Sequence, residues 1–257
     1  MTDQKLIQFL NEKVAAYNQP FFIKDDPISV PKSFQKKQDI EIAGFFAAIF
    51  AWGIRTTIIN KTRELMQLMD NAPYEFCLHH SDEDLKKLLS FKHRTFNATD
   101  LLYFVSFFKE HYSQHTSLET AFSQWMEPGD IDVEKGLDGF YRYFFSLPHV
   151  PPRTLKHIAC PAKKSACKRI NMYLRWMVRN DKSGVDFGLW SSILPSQLVI
   201  PLDLHVARVA KNFKLLEREQ SDWAAAKALT RRLRDFDPAD PCKYDFALFG
   251  LGVLEKF

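Results

Sequence analysis

The chain has 257 residues, 46% hydrophobic and 26% charged, which excludes a disordered or fibrous class and suits one globular domain built as two lobes. Its net charge of +4 permits a polyanionic partner without demanding one. The longest uncharged stretch, Ile42 to Ile54, falls short of the roughly 18 apolar residues of a membrane span; the start Met1-Thr2-Asp3-Gln4-Lys5 has no secretory pattern; and Cys77, Cys160, Cys167 and Cys242 form no C-x-x-C pair that would suggest zinc or an iron–sulfur cluster.

Most segments repeat with a period near 3.6 residues, and few alternate. A first helix is expected over Asp3 to Tyr17, followed by a Phe21–Pro31 run whose prolines argue against a central strand. Asp39 is expected to cap a helix from Ile40 to Trp52 that is apolar on nearly every face and therefore buried all round. Gly53 should end it, Arg55-Thr56-Thr57 should turn, and Ile58 to Met69 should be helical. Ser81 can cap a short helix holding Leu85, Leu88 and Leu89, and Phe91 to Asn97 reads as a polar loop. Asp100 to Tyr112, a segment capped by Ser117, and Val133 to Phe145 are further helices, with Glu127-Pro128-Gly129-Asp130 as a turn. Pro148, Pro151 and Pro152 mark the lobe boundary.

The C-terminal half gives a helix from Ser165 to Arg179, a Gly/Pro-containing connection from Asp181 to Pro201, and a helix from Leu204 to Leu216. A helix capped by Ser221 follows, then a last one capped by Asp240 with Pro241 at its first position. The expected organisation is one all-α domain, 1–257: a middle bundle, 39–150, and a second lobe from 1–38 plus 151–257.

The segment Pro201-Leu202-Asp203-Leu204-His205-Val206 sets a carboxylate at the first turn of an amphipathic helix. There it accepts backbone N–H groups and meets the positive end of the helix dipole. A cap of this kind is rigidly aimed, and its second oxygen is available to stabilise a developing cation. Upstream, Lys164, Lys168, Arg175 and Arg179 make a stripe opposite the apolar face of their helix, which reads either as a solvated face or as a phosphate contact. A lysine attacks only as the free amine, so a catalytic Lys168 needs its proton removed. His111 and His115 have i,i+4 spacing without a third ligand nearby, so no metal is expected.

The run Lys168-Arg169-Ile170-Asn171-Met172-Tyr173-Leu174, the Gly/Pro loop, and Pro201 to Val209 resemble the helix-hairpin-helix DNA glycosylases with a Gly/Pro loop and aspartate. Tyr244-Asp245-Phe246-Ala247-Leu248-Phe249-Gly250 looks like the closing helix of that fold, so the likeness spans roughly 150–255. The whole chain, with Asp39 to Lys61 and His93-Arg94-Thr95-Phe96-Asn97, is also similar to an outlying bacterial family of unknown function.

The glycosylase resemblance implies a two-lobed helical fold and duplex DNA carrying a damaged base as the partner. Lys168 would attack the C1′ of an everted nucleotide and form a Schiff base, with strand nicking by β-elimination; Asp203 would activate the lysine or stabilise the cation. The wide spacing of positions 168 and 203 looks like the archaeal 8-oxoguanine branch and implies an oxidised purine. The family's Leu-Pro-Gly-Val-Gly hairpin corresponds here to Ile158–Cys167, which has no glycine, so phosphate contacts would fall to Lys163, Lys164 and Ser165, joined by Arg175, His205 and Arg208. Trp52, Arg55, His93, Arg94, Asn97 and Asn171 are expected to line the base pocket at a cleft. A monomer in the cytoplasm, with no cofactor and no membrane contact, is expected. Two alternatives stay open: a non-catalytic nucleic-acid-binding protein on the same fold, and an enzyme acting on a small nucleoside-like ligand.

Overall fold

The apolar periodicity resolves into twelve α-helices in a computed structural model that describes residues 2–257. In chain order these are α1 (Asp3–Tyr17), α2 (Lys37–Ile49), α3 (Arg55–Leu68), α4 (Pro73–His79), α5 (Asp82–Lys87), α6 (Ala98–Gln114), α7 (Thr120–Ser123), α8 (Glu134–Phe144), α9 (Lys168–Val178), α10 (Leu204–Asn212), α11 (Trp223–Arg234) and α12 (Tyr244–Val253). The fold is all-α; the one sheet among the described residues is the two-residue pair β1 (Lys92–His93) and β2 (Phe96–Asn97). No helix among them is long and apolar enough to cross a membrane.

The described chain divides into two compact units. One holds the segment ending at Lys24, Glu127–Lys135 and Ala159–Phe257; the other holds Asp25–Met126 and Gly136–Ile158. Residues 25–38, assigned by the sequence pattern to the C-terminal lobe, group instead with the middle helices. Their 3-10 turns, Pro27–Ser29 and Pro31–Ser33, bury Ile28 and Val30. Residues 151–158 join the same unit because the Thr154 hydroxyl donates to Asp100 at 2.8 Å, and His157 lies 3.3 Å from that carboxylate. Residues 127–135 go with the C-terminal helices: Val133 N donates to the Gln197 carbonyl at 3.1 Å, and the Gln197 amide donates to the Asp130 carbonyl at 2.9 Å.

In the middle unit the phenylalanines explain the high aromatic content. Phe45 and Phe46 of α2 meet Phe104 and Phe108 of α6 and Phe140 and Phe144 of α8, with centroids as close as 4.8 Å for Phe104–Phe144. Helix α2 starts three residues earlier than Asp39 as a cap would allow. The Asp39 carboxylate accepts from Tyr74 N at 2.9 Å and so holds the start of α4. Arg55-Thr56-Thr57 is the first turn of α3 rather than a bend, because the reversal is completed at Gly53, whose φ of 112° favours glycine.

In the other unit α9 buries Ile170, Tyr173, Leu174, Trp176 and Met177, α10 buries Val206, Val209 and Ala210, and α11 buries Ala225, Ala226, Leu229 and Leu233. Helix α12 packs between α1 and α10. The close approach to α1 needs Gly250, where an added Cβ would fall 2.2 Å from the Tyr17 ring.

Candidate active site

Helix α9 begins after two residues in left-handed conformation, Lys164 (φ 59°) and Cys167 (φ 51°). This puts Lys168 at the first helical position. From its end the chain folds back along the helix it has just left. Phe187 N donates to the Trp176 carbonyl at 2.8 Å and Trp190 N to the Met177 carbonyl at 3.0 Å. Gly188 permits this return, with φ 60° and the Asn180 side chain 2.5 Å from where a Cβ would stand. The buried Leu198, Val199, Ile200 and Leu202 then lead into α10, with Ile200 N bonded to the Thr230 hydroxyl at 3.0 Å.

The connection thus closes the long gap in sequence. Lys168 Nζ lies 3.4 Å from Asp203 Oδ2, with the lysine side chain 35% exposed and the aspartate 11%. Asp203 Oδ1 accepts from Val206 N at 2.8 Å, the N-cap bond of α10. One oxygen therefore fixes the helix start, and the other faces the amine.

Behind this pair lies a buried ionic cluster. Arg175 pairs with Asp245 of α12, reaches Asp186 at 3.4 Å and stacks over Phe246 at 4.4 Å. Arg179 binds Asp240 through two nitrogens, at 3.0 and 2.8 Å, and also binds Asp181 at 3.0 Å and Asp186 at 2.5 Å. Burial works against the Arg179 charge, but Asp240, Asp186 and Asp181 more than offset it and hold the guanidinium above its ordinary range. Burial pushes Asp245 up to about 6; Arg175 pulls the other way, and the Asp203 charge adds to the rise.

Arg175, assigned by its residue type to a phosphate-binding stripe, is therefore inside the unit: it and Arg179 are 9% and 2% exposed. The stripe is therefore split: Arg175 and Arg179 are held in internal salt bridges, while Lys164 is exposed and Lys168 is half-buried. Arg208 is engaged differently from the expectation too. Its Nε donates to the Phe257 carbonyl at 3.0 Å and its Nη2 to the Gly252 carbonyl at 2.8 Å, a cationic clamp on the end of α12.

The remaining expected residues fall in two groups. Lys163 and Lys164 are exposed beside Ser165, whose hydroxyl accepts from Cys167 N at 3.2 Å. His205 is exposed, with its ring 6.4 Å from that of Phe249. Asn171, one turn after Lys168, is 1% exposed; its amide donates to the Ala166 carbonyl at 3.2 Å and its Oδ1 has no hydrogen-bond partner.

Trp52, Arg55, His93, Arg94 and Asn97 belong to the other unit. There the Arg94 guanidinium stacks 4.6 Å over Trp52, His93 Nε2 donates to the Phe50 carbonyl at 3.1 Å, and the Asn97 side chain accepts from Thr99 N at 3.1 Å. These contacts hold the β1–β2 hairpin against the end of α2 and cap α6; Arg55 opens α3.

Asp245 carried no functional expectation. Its signal was present in the sequence, as a lone carboxylate in the otherwise apolar α12, a position that requires a buried partner. The partner, Arg175, is 70 positions away in the chain.

No curated protein and no solved structure matches the chain. Residues 26–254 match the family described as a protein of unknown function (DUF2400), and the chain belongs to that family.

Proposed function

We propose that the chain is a DNA glycosylase with lyase activity, acting on a damaged base in duplex DNA. The observation that carries this reading is the 3.4 Å approach of Lys168 Nζ to Asp203 Oδ2, the lysine half-buried at the start of α9 and the aspartate largely buried at the start of α10. An ammonium has no lone pair, and Asp203 Oδ2 is placed to take its proton. The free amine attacks C1′ of the everted nucleotide. The glycosidic C–N bond breaks, its electron pair leaves with the base, and the base picks up a proton. Opening of the sugar ring leaves a Schiff base between C1′ and Lys168. Loss of a C2′ proton then expels the 3′-phosphate and nicks the strand.

Two further features support a helix-hairpin-helix element. Pro161 opens a 3-10 turn, Pro161–Lys163, and Lys164 closes it in the left-handed conformation that glycine ordinarily supplies. Lys163, Lys164 and Ser165 then stand as the phosphate contacts. An oxidised purine is the proposed lesion, from the resemblance in the spacing of the two site residues.

The test is borohydride trapping on duplexes carrying 8-oxoguanine or an abasic site. A covalent adduct is expected with the wild-type protein and none with Lys168→Gln. A second reading, a non-catalytic DNA-binding scaffold, is favoured by the cap bond to Val206 N, which alone would explain an aspartate at this position. It predicts DNA affinity with no adduct.

A further inference from the structure

The motif His93-Arg94-Thr95-Phe96-Asn97 takes no part in the Lys168–Asp203 site. Around it three segments of the middle unit meet: residues 50–57 after α2, the β1–β2 hairpin at 91–97, and the 3-10 turn Pro152–His157. His93 Nε2 bonds the Phe50 carbonyl, the Arg94 guanidinium lies over Trp52, and Arg153 Nη2 donates to the Thr95 carbonyl at 2.7 Å. The His157 ring meets that of Phe96 with centroids 5.0 Å apart. None of the three segments contains an aspartate or a glutamate. The carboxylate that reaches them, Asp100, is buried and is taken by Arg153 and Thr154. Lys92, Arg94 and Lys156 are exposed and have no carboxylate partner among the described residues.

Two unusual backbone positions hold Arg94 in place. Its own φ is 56°, in the left-handed region that an arginine rarely adopts, and Gly53 has φ 112°. A Cβ at Gly53 would run into the guanidinium, so the glycine lets it settle 4.6 Å over the Trp52 ring. An exposed arginine that lies over an indole keeps its outer face open. Such a face can take a nucleobase, since bases stack on guanidinium planes as they do on aromatic rings. Beside it, Ile54 is 72% exposed. In the 3-10 turn Arg153 and Lys156 are three residues apart and eclipse each other, so Lys156 stands beside the arginine that meets the hairpin tip. Burial lowers the His93 pKa, the Phe50 carbonyl opposes this, and the Arg94 and Lys61 charges lower it further, which marks a locally positive field.

We propose that this face of the middle unit binds a single-stranded nucleic acid: Lys92, Arg153 and Lys156 meet its phosphates, and a base stacks on the Arg94–Trp52 pair. A duplex would bring phosphates to the same cations but keep its base faces hidden, and the platform would go unused. The surface lies in the unit that does not hold Lys168, and it stands whether or not that lysine traps DNA.

The test is fluorescence anisotropy of a labelled oligothymidylate of about twelve nucleotides, over a series of salt concentrations. The parent protein carries Lys163→Ala/Lys164→Ala, which removes the phosphate contacts proposed for the other unit. Adding Lys92→Ala/Lys156→Ala, both at exposed positions, should weaken binding roughly tenfold. It should also make the slope of log affinity against log salt shallower by about 1.4, since each phosphate contact on a single strand contributes about 0.7. Arg94→Lys keeps the charge and removes the plane. It should bind the oligothymidylate roughly tenfold more weakly with the slope unchanged, and bind a strand of abasic sugar phosphates of the same length as well as the parent does. An unchanged slope in the lysine variant overturns the proposal, whatever becomes of Arg94→Lys. So does an equal loss on the abasic strand, which would leave only a cationic patch, and so does a blunt duplex bound as tightly as the single strand. None of these measurements reads adduct formation, so their failure and that of the glycosylase reading are separate.

Discussion

The two oxygens of Asp203 have different partners, Val206 N for one and Lys168 Nζ for the other, so substitutions at this residue separate two roles. Asp203→Asn keeps an acceptor at the cap, and its stability should stay within about 0.5 kcal/mol of wild type. Asp203→Ala leaves the first turn of α10 uncapped and should lose about 1 kcal/mol. Both should lose adduct formation by at least about a hundredfold. Denaturant unfolding together with trapping checks this. A loss of trapping that tracks stability across the two variants would reduce Asp203 to a cap.

These two residues were legible in the sequence because their signal is local: a cap before an amphipathic helix, and a lysine in a basic run. Arg175 was misread because residue type alone assigns an arginine to the surface. The carboxylates that bury it come from Asp186 and Asp245, and neither lies within a helical turn of it.

At the level of elements, α12 organises the C-terminal unit by closeness. Gly250→Ala puts a methyl into the Tyr17 ring and forces α1 away. The expected cost is about 1–3 kcal/mol, the usual range for overpacking, read as a lower denaturant midpoint. An unchanged midpoint would mean that α1 yields freely.

Arg208 of α10 acts on the same element, since it clamps the Gly252 carbonyl in the last turn of α12 and the Phe257 carbonyl after it. Arg208→Ala should lower the melting temperature while weakening DNA binding less than Lys163→Ala/Lys164→Ala does. Melting scans and fluorescence anisotropy compare the two, and the reverse order would return Arg208 to the phosphate contacts.

Helix types and centres were readable from the 3.6 period, but several boundaries were not. Asp39 is a good cap by residue type, yet it serves α4 across space, which no local pattern encodes. The β1–β2 pair was read as loop because two residues per strand are too few to show alternation. What fixes the hairpin is the stacking of Arg94 on Trp52 and the bond from His93 to Phe50.

For the whole molecule, two buried groups give opposite responses to pH. Burial pushes His111 down to about 4, with the Ser117 carbonyl opposing, whereas an unfolded histidine titrates near 6.5. The folded state then binds fewer protons, so this contribution is present above pH 6.5 and is lost as pH falls toward 4, about 3 kcal/mol in all. Asp245 has the contrary sign. Its folded value is raised to about 6 against roughly 3.9 unfolded, so its contribution is present below pH 4 and lost as pH rises through 6. The two nearly cancel in the wild type. Relative to wild type, Asp245→Asn should therefore gain up to about 3 kcal/mol between pH 4 and pH 7, measured by urea unfolding. Parallel curves for the two proteins would contradict the assignment.

The most direct measurement is the identity of the residue that carries the DNA. After borohydride reduction on an abasic or 8-oxoguanine duplex, the adduct is digested and sequenced by mass spectrometry. The expected result is one modified residue, Lys168, and no adduct from Lys168→Gln that is otherwise folded. An adduct on a different lysine, or none at all from protein that binds the duplex, would contradict the lysine mechanism.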